Sequence, residues 1–136
     1  MVVRSLKVEK DSLQPRKEDE DSIGSEVPYH SAIRALMYLA NNTIPDIAFD
    51  VNFLARFSSD PTKRHWDGIK HIFRYLHGTI DTGLFFPNSS TSQLVGYADV
   101  GYMSDAHFGQ SQTSYLFTYC GTVMSWKYIK QTMTTI

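Results

Sequence analysis

Residues 60–78 read DPTKRHWDGIKHIFRYLHG, and residues 93–102 read QLVGYADVGY. In the first stretch Trp66, Ile69, Phe73 and Leu76 recur at helical spacing, with Ile72 beside them, so they predict one buried helix face. Asp60-Pro61 offers a capping side chain followed by a proline whose missing N–H does no harm in a first turn. Gly78 is a natural C-terminal stop. The second stretch is aromatic and β-branched, which predicts a strand over Leu94 to Tyr102. Helices first and strands afterwards, within one short chain, predict an α+β fold.

Upstream of residue 60 the helical period continues. Ile33, Leu36, Met37 and Ala40 form a stripe that starts near Pro28 and ends at Asn41-Asn42. Thr43-Ile44-Pro45-Asp46 reads as the opening of another helix, with Thr43 as cap and Asp46 near the positive helix end. Ile47, Val51, Leu54 and Ala55 supply its buried face, and Ser58-Ser59 stops it. Three amphipathic helices over residues 28–78 predict a small bundle.

Downstream, Gly83-Leu84-Phe85-Phe86 reads as a short strand and residues 87–92 as a loop. Tyr115 to Tyr119 and Thr122 to Lys127 read as two strands joined at Cys120-Gly121. Residues 79–136 therefore predict a mostly antiparallel sheet. The start of the chain differs from both regions. Residues 1–27 carry five basic and seven acidic side chains, and the run Arg16-Lys17-Glu18-Asp19-Glu20-Asp21 has nothing apolar to bury. That composition predicts a flexible, solvated lead-in.

Composition narrows the chemistry. The chain has 136 residues, 42% hydrophobic and 20% charged, with a formal net charge of -1. Bulk positive charge for nucleic-acid binding is absent, so only weak nucleic-acid contact is expected. One cysteine, Cys120, excludes an internal disulfide framework and a Cys-rich zinc site. No apolar run approaches the roughly 20 residues that span a bilayer, and Met1 to Lys10 lacks the apolar centre of a secretory signal. No membrane association and no cofactor are expected.

Asp99 is the residue most suggestive of chemistry. A carboxylate inside an apolar strand costs free energy unless it faces water, is paired or binds a cation. A pair of metal ions about 4 Å apart needs several carboxylates. Asp105 is the one acidic neighbour in sequence, and no Glu follows Glu26. His30, His65, His71, His77 and His107 form no ligand pattern and read as surface or partly packed histidines. Cys120 and Ser125 have no base beside them. Lys63, Lys70 and Arg74 share a helix face that reads as a phosphate-gripping stripe or, with Asp67 among them, as the wet side of an amphipathic helix. Trp66, Phe73, Phe85, Phe86, Tyr115 and Phe117 read as core rather than base-stacking platforms.

These segments carry a family resemblance. Pro28-Tyr29 through Leu39, Pro45-Asp46-Ile47-Ala48, Leu54-Ala55-Arg56-Phe57, His65-Trp66, Ile69-Lys70, Arg74-Tyr75-Leu76 and Gly78-Thr79 resemble the end of the reverse transcriptase in copia-type retrotransposon Pol polyproteins. Gly96-Tyr97-Ala98-Asp99, Ser111-Gln112-Thr113, Tyr115-Leu116-Phe117, Ser125-Trp126-Lys127 and Lys130-Gln131 resemble the start of the RNase H domain that follows it. The resemblance implies a helical segment over 28–78 and an incomplete RNase H-like sheet over 79–136. It matches Asp99 to the first metal-binding Asp of that domain. The polymerase carboxylates lie upstream in the family, and the helix bearing the catalytic Glu is expected to begin near Thr134-Thr135-Ile136. Asp99 is thus expected to be a lone remnant of a metal site: no catalytic set, no metal, and no enzyme.

The whole chain also resembles proteins described as secreted RxLR effectors of plant-pathogenic oomycetes, which likewise open with Met-Val-Val-Arg-Ser-Leu. In that class an Arg-x-Leu-Arg segment is associated with delivery into the host cell. The nearest matches here are Arg74-Tyr75-Leu76-His77 and Arg4-Ser5-Leu6-Lys7. Two expectations follow from the resemblances. One is a non-catalytic, intracellular Pol-derived protein that acts by protein binding. The other is a secreted effector that works in the host nucleus or cytoplasm to suppress or elicit cell death. In both, the partner is a protein bound through an uncovered sheet face.

Overall fold

The computed structural model describes residues 15–88, 92–105 and 110–131, the side chains of 102–105 and 110 excepted. Arg4-Ser5-Leu6-Lys7, His107 and Thr134-Thr135-Ile136 lie outside the described residues. Helix α1 spans Tyr29–Asn42, α2 spans Ala48–Ala55 behind a single 3-10 turn at Pro45–Ile47, and α3 spans Lys63–Gly78. Strands β1 (Leu94–Asp105), β2 (Gln110–Tyr119) and β3 (Thr122–Lys130) form an antiparallel meander in the order β1-β2-β3. The α+β class is as the sequence pattern predicts.

The core lies between the helices. Tyr29, Ala32, Ile33, Leu36 and Ala40 of α1 are buried against Ile47, Ala48, Val51 and Leu54, with Ile69 and Ile72 of α3 closing the cluster. Tyr29 keeps its hydroxyl satisfied by donating to the Leu54 carbonyl at 2.8 Å, and burial pushes that phenol well above its ordinary pKa. Thr43 does not cap α2. Its backbone N–H and its hydroxyl both donate to the Leu39 carbonyl, at 2.9 and 3.2 Å, so it closes α1 instead.

Helix α3 departs from the expected start and from the expected face. It begins after Thr62, because Thr62 and His65 form a reciprocal capping box in which His65 Nδ1 accepts the Thr62 backbone N–H at 3.0 Å. Asp60 is left outside and pairs with Arg16 at 3.0 Å. His65 is fully buried, not a surface or partly packed histidine, and it stacks on Phe57 with centroids 4.1 Å apart and planes 6° from parallel. Holding His65 inward turns the helix so that His65, Ile69 and Ile72 face the core while Phe73 is 44% exposed. Trp66 and Leu76 stay partly buried at the flanks.

In the sheet, Cys120 and Gly121 both adopt positive φ, 50° and 78°, which joins Tyr119 to Thr122 by the tight turn that suits the twist of a hairpin. The Phe117 ring lies over Gly96: a Cβ there would lie 2.7 Å from its Cε1, so a larger residue would push the ring aside. Gly83-Leu84-Phe85-Phe86 is not a strand. Among the described residues it has no ladder partner; it lies exposed, and the Thr122 hydroxyl donates to the Phe85 carbonyl. Phe85, Phe86 and Phe117 are likewise surface residues rather than core.

Residues 15–27, read from composition as a solvated lead-in, run along the N-terminus of α3. Ser22 bridges Thr62, the Ile23 N–H donates to the Pro61 carbonyl at 3.0 Å, and the Ile23 side chain packs against the core. Arg64 grips both carboxylate oxygens of Glu20, at 2.5 and 2.6 Å. That grip, with a further bond from the Lys17 backbone, pulls the Glu20 carboxyl from its ordinary 4.5 down to about 2. A depressed folded-state value means the attachment is complete above pH 4.5 and is lost as pH falls towards 2. The protection factor of the Ile23 amide, its exchange rate relative to an unstructured amide at the same pH, is therefore expected to fall across that window in wild type. In Glu20→Gln the protection should already be low at neutral pH and change little on acidification.

Candidate functional site

The pairing register places Asp99 opposite Ser114, and Ser114 opposite Tyr128. The neighbouring row of the same face is Tyr97, Leu116 and Trp126. This face meets the helices. Trp126 donates its indole N–H to the Ala40 carbonyl at 2.6 Å, where α1 ends. Tyr128 meets the Phe49 ring of α2 edge-on at 5.3 Å. Between the two layers lies a cavity of about 450 Å³, walled by Phe49, Tyr97, Trp126 and Tyr128 and carrying the carboxylates of Asp46 and Asp99. Asp46 arrives on the 3-10 turn and accepts the Tyr75 hydroxyl at 2.8 Å. Burial, and secondarily the charge of Asp99, raise the Tyr128 phenol above its ordinary pKa.

Asp99 itself is exposed on β1. Asp105 closes that strand opposite Gln110, past an irregularity in register. Among the described residues no group of three or more His, Cys, Asp or Glu is placed to hold a metal ion. His30, His71 and His77 are exposed, as expected of surface histidines.

The other candidate residues lie on α3. Lys63 and Arg74 are exposed, Arg74 within 3.2 Å of His71 Nδ1. Lys70 is paired with Asp67 at 2.8 Å, and that bond holds the Asp67 carboxyl below its usual range. The stripe Lys63, Lys70, Arg74 is therefore partly neutralised within its own helix. Arg74-Tyr75-Leu76-His77 forms the last turn of α3, with Leu76 against the core and the other three side chains exposed. The opposite face of the sheet presents Leu94, Val100, Phe117, Tyr119, Met124 and Ile129 to solvent. Sequence reasoning missed the cavity because its walls come from α2 and from all three strands. The alternation of Tyr97 with Asp99 and of Trp126 with Tyr128 was the one visible signal.

The helical bundle leads into an antiparallel meander with Asp99 in the middle of its first strand. The chain is similar to retrovirus-related Pol polyproteins of plant transposons. It is 40% identical over 122 residues, 90% of its length, to the retrovirus-related Pol polyprotein from transposon TNT 1-94 of Nicotiana tabacum. It is 34% identical over 103 residues to that from transposon RE2 of Arabidopsis thaliana. It spans only 9% and 7% of those polyproteins. It is also 43% identical over 105 residues to secreted RxLR effector protein 161 of Plasmopara viticola, covering 77% of this chain and 74% of that protein. No family profile and no solved structure matches the chain. No helix among the described residues is long and apolar enough to cross a membrane.

Proposed function

We propose that this Pol-derived chain is non-catalytic and acts by binding a protein. The observation that carries the reading is the isolation of Asp99. It stands exposed on β1, across from a serine, with no cluster of metal-ligating side chains among the described residues. Two-metal phosphoryl chemistry needs several converging carboxylates. The outer sheet face offers the binding surface, since its six large apolar side chains form the kind of patch that marks an interaction site. On this reading the sheet is an RNase H-like remnant and the protein stays inside the cell. Nucleic acid is at most a weak partner, because Lys70 is already paired.

A second reading rests on the match to the Plasmopara viticola protein, which covers most of both chains. In it the protein is a secreted effector that enters plant cells and modulates cell death through the same sheet face. Arg74-Tyr75-Leu76-His77 would then be presented as a helical turn rather than an extended tag.

One pair of substitutions tests both readings. Asp99→Asn is expected to leave hybrid-cleavage assays at background, as wild type does with Mg²⁺ or Mn²⁺, and to leave any leaf cell-death response intact. Phe117→Asp, checked for folding by circular dichroism, is expected to abolish that response. RNA–DNA cleavage by wild type that disappears in Asp99→Asn would sink the non-catalytic reading. A death response lost in Asp99→Asn but kept in Phe117→Asp would sink the outer face as the contact surface.

A further inference from the structure

We propose that the cavity between α2 and the inner sheet face binds a quaternary ammonium group, as carried by choline or by a trimethylated lysine. The proposal concerns the face opposite the apolar patch and stands whether or not that patch binds a protein. Four aromatic side chains wall the cavity: Phe49, Tyr97, Trp126 and Tyr128. Phe49 and Tyr128 already stand nearly perpendicular, with an interplanar angle of 79°, so they form a corner rather than a flat stack. Two carboxylates, Asp46 and Asp99, lie on the same lining.

That combination selects a ligand class. Aromatic faces attract cations, and the attraction grows as water is excluded. A bare ammonium is compact and strongly hydrated, so an apolar wall makes it surrender much of its hydration. Methyl groups spread the charge and reduce that cost, leaving a head that is apolar on its surface and positive overall. The carboxylates then supply the long-range attraction. The volume of about 450 Å³ admits such a head with the start of its chain. The pleat turns the side chains of Ala98, Tyr115 and Lys127 to the other face, so here these residues contribute backbone, and the Lys127 ammonium does not fill the cavity. Arg56, whose charge acts on Tyr128, lies outside the lining with its guanidinium over the Phe53 ring at 5.2 Å.

The test is calorimetric titration of the full chain with choline, with a short peptide bearing trimethyl-lysine, and with 3,3-dimethylbutan-1-ol, the neutral isostere of choline. Saturable binding of choline, of the peptide, or of both is expected, and the neutral alcohol should bind far more weakly. A preference between the two cations identifies the source of the group. Tyr97→Ala and Asp99→Asn should each weaken binding roughly two- to thirtyfold, whereas Ile129→Ser on the outer face should leave it unchanged. Tyr97 and Asp99 are both exposed on their strand, so neither variant threatens the fold. Equal binding of the neutral alcohol would overturn the proposal. So would failure of both cations to saturate, or unchanged affinity in Tyr97→Ala and Asp99→Asn.

Discussion

Ile69→Ala is expected to lower the free energy of unfolding by about 2–5 kcal/mol, whereas Phe73→Ala should cost about 1 kcal/mol or less. The two residues are about one helical turn apart and both apolar, so side-chain size alone would rank the phenylalanine higher. Burial reverses the order. Ile69 is completely buried among Leu36, Val51, Leu54 and Ile72, and truncating it leaves a void that two other helices border. Phe73 is 44% exposed, so its truncation removes contacts on one side only and opens no closed cavity. Urea midpoints at constant slope measure both. A larger loss for Phe73 than for Ile69 would mean that α3 is rotated by most of a residue from the arrangement described.

The misread face of α3 shows where sequence is sufficient and where it is not. α1 was legible because Ile33, Leu36 and Ala40 form a stripe with no competitor, and all are buried. β2 and β3 were legible from Cys120-Gly121, a local turn whose geometry needs only its own two residues. In α3 two stripes compete. Trp66, Ile69 and Phe73 are the more hydrophobic set, but His65, Ile69 and Ile72 win. The deciding contacts are not hydropathic: the ring of Phe57 beneath His65 and the capping bond to Thr62. A polar residue enters the core when its polar atoms are satisfied there, and satisfaction by the helix's own cap leaves no mark in hydropathy. The same holds for the lead-in, whose charge run reads as solvated until Arg64 and Asp60 are placed opposite Glu20 and Arg16. For the site, Asp99 stood out as a carboxylate among apolar residues. The aromatic walls around it did not, because they converge only once the sheet docks on α2.

His65→Ala should destabilise the protein by about 2–4 kcal/mol, and His65→Gln by clearly less. Three losses coincide in the alanine variant. The stack on Phe57 disappears and leaves a gap in a fully buried site. The Thr62 N–H, which now donates to Nδ1, is left without that acceptor in a buried position. The helix start it holds also frays, because Thr62 is the residue from which α3 departs. Glutamine is a natural partner in a capping box, and its amide oxygen reaches back to the same N–H, so it restores the second and third contributions and not the first. The difference between the two variants therefore isolates the stack. Because the lead-in docks at the same point, through Ser22 on Thr62 and Ile23 on Pro61, its exchange protection should follow the cap rather than the stack. Ile23 is expected to exchange quickly in His65→Ala and slowly in His65→Gln, even where both variants have lost core stability. Equal exchange at Ile23 in the two variants would show that the lead-in is held by Arg16 and Arg64 alone, with no help from the capped turn beneath it.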